Sequence, residues 1–261
     1  MYQLSNIQIT RNERLILDIP SLSIPTSEFT VVLGHNGSGK STLVNLLSGQ
    51  LLPDKGEITL NKSALSQFKA RPLAKQIAYL PQKLPSSAGL TVEELVRLGR
   101  FPWRGALGRW NSDDKKIIKA AMSRTGVEMY SDSLVDNLSG GERQRAWVSM
   151  LLAQQSPILI LDEPTSALDL HHQFQLLSLL STLNKTENKG IIVILHDLNL
   201  ALRYATHIVA LKKGKVAFSG NPEMLLDEQR LFELFEASIK LVDHPSPGAT
   251  PASSKLAVVC Q

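Results

Sequence analysis

The sequence predicts an α/β fold with a mostly parallel β-sheet, and three observations support that prediction. Short apolar runs typical of strands alternate with helical stretches along most of the chain, as in sheets that helices cover on both faces. The first 28 residues are strand-like without an intervening helix. Between Gln82 and Ser139 the pattern becomes mainly helical. We therefore expect an N-terminal antiparallel β edge and a helical subdomain inserted into the sheet domain.

The elements follow from hydrophobic periodicity and from flanking turn residues. The predicted strands are 18–24, 29–33, 76–80, 158–161 and 191–195, followed by a hairpin of 208–211 with 215–218. The predicted helices are 40–48, 91–98, 112–126, 142–154 and 223–235. The main domain is predicted to span residues 1–240, with the helical subdomain at about 85–150. Residues 243–261 are rich in Pro, Ser, Ala and Gly, so we expect a disordered C-terminal tail.

The segment GHNGSGKST, residues 34–42, fits the pattern G-x-x-x-x-G-K-[ST]. In this pattern glycines let backbone N–H groups surround phosphate oxygens, and the lysine neutralises the outer phosphates. The segment lies between a buried strand and a helix, so the phosphates meet a helix N-terminus. We expect Lys40 to reach the β- and γ-phosphates and the Ser41 hydroxyl to ligate Mg²⁺. The predicted nucleotide-binding residues here are Gly34, His35, Asn36, Gly37, Ser38, Gly39, Lys40, Ser41 and Thr42. A glycine-rich turn that fits by chance is the alternative.

A second segment, ILILDEP, places two carboxylates after a buried apolar strand. Such a strand delivers polar residues at the carboxyl edge of a parallel sheet. Successive side chains on a strand point in opposite directions. We therefore expect Asp162 to reach the Mg²⁺ shell and Glu163 to approach an attacking water as general base. An ordinary strand-to-turn sequence is the alternative.

The third segment, LSGGERQ at residues 138–144, opens a strongly helical stretch. Ser139, Gly140 and Gly141 thus present a hydroxyl and bare backbone donors at the positive end of a helix. One chain does not need two phosphate-binding surfaces for one nucleotide, unless the second serves a nucleotide held by another copy of the chain. An N-capped helix, with Ser139 as cap and Glu142 as its capping-box partner, is compatible with that interpretation.

In chain order, GHNGSGKST, LSGGERQ and ILILDEP resemble the Walker A, signature and Walker B motifs of ABC ATPases, and the resemblance covers residues of about 2 to 240. The resemblance implies the fold of a P-loop NTPase, ATP and Mg²⁺ as cofactors, and a head-to-tail dimer that encloses ATP between two copies. Gln82 resembles the glutamine of the Q-loop, a further Mg²⁺ ligand, and His196 resembles the switch histidine that contacts the γ-phosphate. Ser166–Asp169 resembles the D-loop, which crosses to the partner. Glu163, His196 and Gln82 are the catalytic residues that it implies.

The adenine contact departs from the family pattern. In many relatives an aromatic side chain upstream of the phosphate loop stacks on adenine, whereas this chain has Thr10, Arg11 and Asn12 there. The Arg11 guanidinium is a candidate substitute through a cation–π contact. A solvated turn residue is the alternative.

Composition and charge agree with a globular ATPase. The chain has 261 residues, 43% of them hydrophobic, and a net charge of +4. This charge is too small to indicate nucleic acid, but it suits a protein below an anionic cytoplasmic leaflet. Cys260 is the single cysteine, so we expect no intrachain disulfide and a reducing compartment. The sequence shows no targeting segment and no apolar run of the roughly 18 residues that a membrane helix needs. A pore would belong to another polypeptide.

The segment GRFPWRGALGRW, residues 99–110, mixes aromatic residues with Arg100, Arg104 and Arg109. Exposed aromatics between cations indicate a docking surface. Two alternatives remain: tryptophans that pack into the subdomain core, and a surface for single-stranded nucleic acid. Residues 91–110, TVEELVRLGRFPWRGALGRW, together with LSGGERQRAW and LDEPTSALD, resemble the ATPase subunit of bacterial iron(III)-hydroxamate siderophore importers, within the group that imports iron chelates, haem and cobalamin. In that family this region meets a coupling helix of the permease.

The leading hypothesis is therefore an ATP-hydrolysing motor subunit of an importer, a peripheral protein at the cytoplasmic face of the inner membrane. Its expected partners are a second copy of itself, integral membrane permease subunits and, indirectly, a substrate-binding protein, but not nucleic acid. The expected cargo is an iron(III) siderophore, of hydroxamate type first, with haem, cobalamin or another metal chelate as alternatives. A soluble ABC ATPase acting on nucleic acid or ribosomes, and a P-loop small-molecule kinase, are the hypotheses from other classes. Soluble ABC ATPases of that kind usually carry two motif sets or a long coiled coil, neither of which this sequence shows. A small-molecule kinase would have no use for the LSGGERQ segment.

Overall fold

A computed structural model describes residues 1–87, 89–104, 110–246 and 248–260. The strands of this part of the chain are, in order, β1 (Tyr2–Arg11), β2 (Arg14–Ile24), β3 (Phe29–Leu33), β4 (Lys55–Leu60), β5 (Ser63–Ala64), β6 (Ile77–Leu80), β7 (Ile158–Leu161), β8 (Gly190–Ile194), β9 (His207–Lys212), β10 (Lys215–Gly220), β11 (Ile239–Asp243) and β12 (Lys255–Val259). The helices are α1 (Lys40–Leu47), α2 (Ala70–Gln76), α3 (Val92–Leu98), α4 (Phe101–Arg104), α5 (Ser112–Arg124), α6 (Gly140–Ala153), α7 (Leu170–Glu187), α8 (Leu198–Tyr204) and α9 (Glu228–Phe235).

The chain divides into two compact units. The first comprises Met1–Gln67 and Asn188–Gln261, and the second comprises Phe68–Glu187. In the first unit, β1 pairs with β2 and β4 in antiparallel fashion, which confirms the predicted N-terminal antiparallel edge. β3 lies between β8 and β9 and is parallel to both. Every residue of β3 and β8 is buried, as expected for parallel strands covered on both faces.

The second unit contains the parallel pair β6 and β7 together with six helices of the described residues. Its helices α3, α5 and α6 form where the sequence predicts helical segments, and each begins with a capping box. The unit is wider than the predicted helical subdomain of about 85–150, because it also includes α2, β6, β7 and α7. The limits of that subdomain, and of the main domain at residue 240, stay predictions.

The C-terminal segment differs from the expected disordered tail. β12 pairs with β11 over five residues, and the backbone N–H of Cys260 donates to the Ser238 carbonyl at 2.8 Å. A short 3₁₀ turn buries Ala252 before β12. The prediction was wrong because the Pro- and Ser-rich composition of 245–254 masked the strand-forming residues KLAVV that follow.

The predicted helix 223–235 is also interrupted. A 3₁₀ helix covers Pro222–Leu226, and α9 starts anew at Glu228. The Asp227 side chain accepts from the backbone N–H groups of Gln229 and Arg230, which is the bonding of an N-cap. An aspartate inside an apolar periodic pattern therefore ends one helical segment and starts the next.

Candidate functional site

The phosphate-loop candidate, residues 34–42, connects β3 to α1 in the first unit. Its backbone requires glycine at two points. A Cβ on Gly34 would lie 2.2 Å from the Leu211 carbonyl oxygen, and a Cβ on Gly39 would lie 2.5 Å from Leu17 Cδ2. Gly39 has a φ of 101° and precedes α1 with no side-chain cap. The first backbone N–H groups of α1 thus lack a capping side chain, as an anion-binding helix start requires.

Lys40 lies inside this loop. Its buried ammonium donates to the carbonyl oxygens of Gly34 at 2.8 Å and His35 at 3.0 Å. The backbone N–H of Ser38 also donates to the His35 carbonyl. The loop therefore curls around a positive charge, while His35, Asn36 and Gly37 remain exposed on its outer side. This arrangement combines a fixed cation with exposed backbone, the combination that binds polyphosphate.

His196 lines a cavity of about 350 Å³ together with Gly34, His35, Asn36 and Phe235. It follows β8 and directly precedes Asp197, the N-cap of α8. The rings of His35 and Phe235 meet edge to face with centroids 5.9 Å apart. The first unit thus brings the switch-histidine candidate next to the start of the phosphate loop. Sequence reasoning missed Phe235, because an aromatic residue in an amphipathic helix carries no signal of its own.

In the second unit, Asp162 and Glu163 follow β7 directly. The backbone N–H of Asp162 donates to the Leu80 carbonyl of β6 at 2.9 Å. Asp162 is buried, whereas Glu163 is partly exposed and has a φ of 51°. This left-handed conformation is strained for a glutamate. The strand ends at Leu161, so the turn at Glu163, rather than strand alternation, gives the two carboxylates different surroundings.

Gln82 contacts the glutamate. Its side-chain Nε2 donates to Glu163 Oε2 at 2.5 Å, and Gln82 itself is exposed beyond the end of β6. Because the amide nitrogen is directed at the carboxylate, the amide oxygen is presented to a different side. The second unit therefore brings together Gln82, Asp162 and Glu163.

Tyr79 is a residue near this group that sequence reasoning did not single out. It lies on β6, and burial, together with the negative charge of Asp162, raises the pKa of Tyr79 to about 12. The phenol therefore stays neutral beside Asp162. Only the tertiary pairing of β6 with β7 reveals this neighbour.

The signature candidate forms the start of α6. Ser139 Oγ donates to Glu142 Oε2 at 2.7 Å, and the Ser139 backbone N–H donates to the same oxygen at 2.9 Å. The Glu142 backbone N–H returns a longer bond to Ser139 Oγ, at 3.4 Å. The expected capping box is thus confirmed. Hydrogen bonds from the Ser139 hydroxyl, the Tyr130 hydroxyl and the Ser139 backbone lower the pKa of Glu142 to about 2.

The two signature glycines and the D-loop candidate complete this region of the second unit. A Cβ on Gly140 would come no closer than 4.0 Å to the Ala167 oxygen, and one on Gly141 would lie 3.5 Å from Leu168 Cδ2. The Ser166 hydroxyl donates to the Glu163 carbonyl at 3.0 Å. Asp169 accepts from both the backbone N–H and the ring Nδ1 of His172. The D-loop candidate is therefore fixed at both of its ends.

The segment 99–110 is only partly as expected. Its described aromatic residues Phe101, Trp103 and Trp110 are exposed to 55%, 40% and 41%. The Arg100 and Arg104 side chains are instead buried against Asp114, at 2.9 and 3.1 Å. Trp103 Nε1 donates to the Gln154 carbonyl at the end of α6. The predicted alternation of exposed cations and aromatics is thus wrong for these two arginines; Arg109 lies outside the described residues.

The Arg11 side chain is also engaged within the chain. Its guanidinium donates to the Thr10 carbonyl at 2.7 Å and pairs with Asp54 at 3.3 Å. Asp54 in turn accepts the Thr10 backbone N–H. Arg11 is therefore an exposed turn residue in an ion pair, and its role towards adenine stays a hypothesis.

Comparisons with known proteins agree with this geometry. The family model described as "ABC transporter" matches residues 17–166. The petrobactin import ATP-binding protein FpuD of Bacillus anthracis is 40% identical over 92% of this chain and 88% of its own length. The iron(3+)-hydroxamate import ATP-binding protein FhuC of Bacillus subtilis is 40% identical over 89% of this chain and 87% of its own length.

Solved structures show the same fold. A dimeric bacterial ABC transporter cassette has a TM-score of 0.74 at 29% identity, covering 85% of this chain and 98% of the cassette. Among the described residues, no helix combines the length and the apolar character needed to cross a membrane. With the three motifs placed at a phosphate loop, a carboxylate turn and a capped helix start, the chain belongs to the ABC transporter family, as one of its ATP-binding ATPase subunits.

Proposed function

We propose that this chain hydrolyses Mg-ATP as the motor of an importer of iron(III) siderophores. The observation that carries the hydrolytic part is the contact between Gln82 Nε2 and Glu163 Oε2 at 2.5 Å. It joins a candidate metal ligand to a candidate general base, next to the buried Asp162. The phosphate loop 34–42 supplies the binding of the phosphates, and His196 contacts the γ-phosphate.

The residues proposed to hold Mg²⁺ fit that ion by their chemistry. Ser41, Gln82 and Asp162 offer hydroxyl, amide and carboxylate oxygens, which are the hard donors that Mg²⁺ prefers. Held by these residues, the ion would supply positive charge to offset the negative charge that develops on the phosphates. Gln82 keeps its amide oxygen for the ion because its nitrogen is bonded to Glu163.

Glu163 is proposed to accept the proton of the attacking water. Its carboxylate is held by Gln82, and its strained backbone directs it away from the strand. Proton transfer by a positioned carboxylate contributes about 10² to 10⁴ in rate. Residues 34–42 are proposed to bind the phosphates and not the attacking water. Loss of the Glu163 carboxylate should therefore leave ATP binding intact.

Glu163→Gln tests this role. We expect ATP affinity to stay within about twofold and steady-state hydrolysis to fall by at least about 100-fold. Glu128→Gln makes the same change of charge at an exposed ion pair with Lys119 and is the matched control. Turnover within a few-fold of the parent in Glu163→Gln would remove Glu163 from the role of general base.

The signature residues Ser139, Gly140 and Gly141 are proposed to act on ATP held by a second copy, in a head-to-tail dimer. The dimeric relative supports two copies as the working form. Mixing Lys40→Ala chains with Ser139→Arg chains tests the arrangement, because one site of each mixed dimer then carries both changes and the other carries none. Part of the hydrolysis should return. Mixed dimers that form but stay as inactive as either variant alone would contradict the model.

The permease is proposed to dock on the exposed aromatic residues of α4. Phe101 is the better probe, because Trp103 and Arg104 also hold the fold through Gln154 and Asp114. We expect Phe101→Ala to bind and hydrolyse ATP normally while its affinity for the permease falls about tenfold. Met129→Ala, at an 81% exposed residue of the same unit, is the control. Equal permease affinity in both variants would exclude this surface.

The cargo is proposed from the two relatives described above. Both are named as import proteins, one for petrobactin and one for iron(3+)-hydroxamate, at the same identity of 40%. The proposal therefore names iron(III) siderophores as the class, with uptake at the cytoplasmic face of the inner membrane. Uptake of radioactive iron from hydroxamate, catecholate and carboxylate siderophores, compared in cells with the parent chain or Glu163→Gln, identifies the cargo. The siderophore proposal would be overturned if cells took up haem or cobalamin but no siderophore, and if Glu163→Gln abolished that uptake.

A further inference from the structure

The C-terminal hairpin of β11 and β12 is bonded to the helix that follows His196. The Ala257 backbone N–H of β12 donates to Asn199 Oδ1 at 2.7 Å. The Asn199 Nδ2 donates back to the Ala257 carbonyl at 3.2 Å. The Asn199 amide thus bonds both the backbone N–H and the carbonyl of Ala257, as a neighbouring strand would do. The same segment buries Ala252 to 1% exposure.

Asn199 belongs to the first turn of α8. The Asp197 side chain accepts from the Asn199 backbone N–H at 2.7 Å and from the Leu200 backbone N–H at 3.3 Å. His196 is the residue directly before this N-cap, and Leu195 before it is buried. Hydrogen bonds that fix the first turn of α8 therefore also fix the backbone directly after His196.

The hairpin is bonded to a second wall of the same cavity. Glu228, at the start of α9, accepts from Lys240 Nζ at 2.7 Å and from the Leu241 backbone N–H at 3.0 Å, both on β11. The last residue of α9 is Phe235. Phe235 and His196 line one cavity with the start of the phosphate loop. One strand of the hairpin thus holds α8, and the other holds α9.

We propose that Asn199 is a positioning residue for His196, and that the hairpin 239–259 is a brace that sets the separation of His196 and Phe235. The inference rests on the proposed contact of His196 with the γ-phosphate. A hydrogen bond to a phosphate oxygen weakens steeply with misalignment, so the angle of the histidine matters more than its presence. Binding of ATP depends on the phosphate loop instead, so the brace acts on kcat rather than on KM.

Two variants release the brace from opposite sides. Asn199→Ala removes both hydrogen bonds to Ala257, and Ala252→Asp places a carboxylate at a buried position of the hairpin. Lys255→Ala is the matched control, since it removes an ion pair between Lys255 of β12 and Asp243 of β11 at 2.6 Å and leaves both bonds from Asn199 to Ala257 in place. Asn199→Asp keeps one acceptor for the Ala257 N–H but loses the donor, and should be intermediate.

We expect kcat for ATP to fall about tenfold in Asn199→Ala and in Ala252→Asp, which corresponds to about 1.4 kcal/mol in activation free energy. KM should stay within about twofold, and Lys255→Ala should match the parent. Hydrogen exchange of the Asn199, Leu200 and Ala201 amides should accelerate in the two release variants. This exchange reports local opening of α8 independently of activity, and the melting temperature of each variant separates it from a global loss of stability.

His196→Ala in the same assay separates the inference from the proposed function. If His196→Ala retains full hydrolysis, the proposed role of His196 fails. If His196→Ala is inactive while Asn199→Ala shows faster exchange and an unchanged kcat, the positioning inference is overturned. It is also overturned if exchange in α8 is unchanged, because the hairpin then does not hold the helix. A higher KM together with a lower kcat and a lower melting temperature would also overturn it, because the bonds would then serve overall stability only.

Discussion

Two helix starts carry the phosphate-binding motifs, and they are built differently. α1 begins after Gly39 with no side-chain cap and no acidic residue in its first turn. α6 begins after Ser139 with a complete capping box and with Glu142 in its first turn. Both have positive N-terminal ends from aligned peptide dipoles. At α6 a carboxylate of the same chain already uses this end, whereas α1 offers it to an external anion.

This difference indicates that affinity for the nucleotide resides at α1. The buried ammonium of Lys40 adds a full charge there. At α6, a phosphate oxygen has to compete with Glu142 for the Ser139 hydroxyl proton, which is donated at 2.7 Å. The signature surface is thus suited to a nucleotide already held elsewhere, and to contacts that form late and break easily.

The largest expected effect separates the two helix starts by binding. Lys40→Ala should weaken ATP affinity of the single chain about 100-fold, because charge-assisted hydrogen bonds to phosphate are lost. Ser139→Ala should leave that affinity within about threefold. Calorimetric titration with ATP measures both, and Lys62→Ala, at an exposed lysine of the first unit, controls for net charge. Equal losses at both helix starts would contradict the comparison.

A smaller effect is expected from a methyl group at a glycine of each motif. Gly37 has a φ of 76° with open space around its Cβ position, so Gly37→Ala should cost about 1 kcal/mol in unfolding free energy and weaken ATP binding about tenfold. Gly141→Ala meets only ordinary contact at 3.5 Å. It should keep stability and ATP binding but slow hydrolysis by the dimer. Denaturant unfolding and the two assays test this pair; a destabilised Gly141→Ala would show that α6 is the more constrained start.

The smallest effect concerns acid stability at α6. The folded-state pKa of Glu142 lies at about 2, below its usual 4.5, so its contribution to stability is full above pH 4.5 and is lost as the pH falls towards 2. Glu142→Gln should be less stable than the parent near neutral pH, and the difference should shrink over that acidic range. Urea unfolding at successive pH values measures it, with Glu128→Gln as control. A difference that stays constant with pH would exclude this ionisation.

Local sequence was sufficient wherever a feature depends on residues a few positions apart. Gly34 and Gly39 adopt the positive φ values that the loop motif needs, and the Ser139–Glu142 box needs four consecutive residues. Composition was misleading at the C-terminus, because β12 forms its hydrogen bonds with β11 and with Asn199. Asn199 lies 58 residues before its partner Ala257 in the chain. It was equally misleading for Arg100 and Arg104, which Asp114 draws into the interior.

The sequence by itself determined the order of motifs, the alternation of strands and helices, and hence the family, because each depends on neighbours within a few residues. Only the tertiary structure decided which groups meet: Gln82 with Glu163, Tyr79 with Asp162, and His196 with Phe235 in one cavity. These pairs join residues that are distant in the chain. Their contact depends on strand pairing and helix packing, which periodicity does not encode, and so does the hold of the C-terminal hairpin on α8.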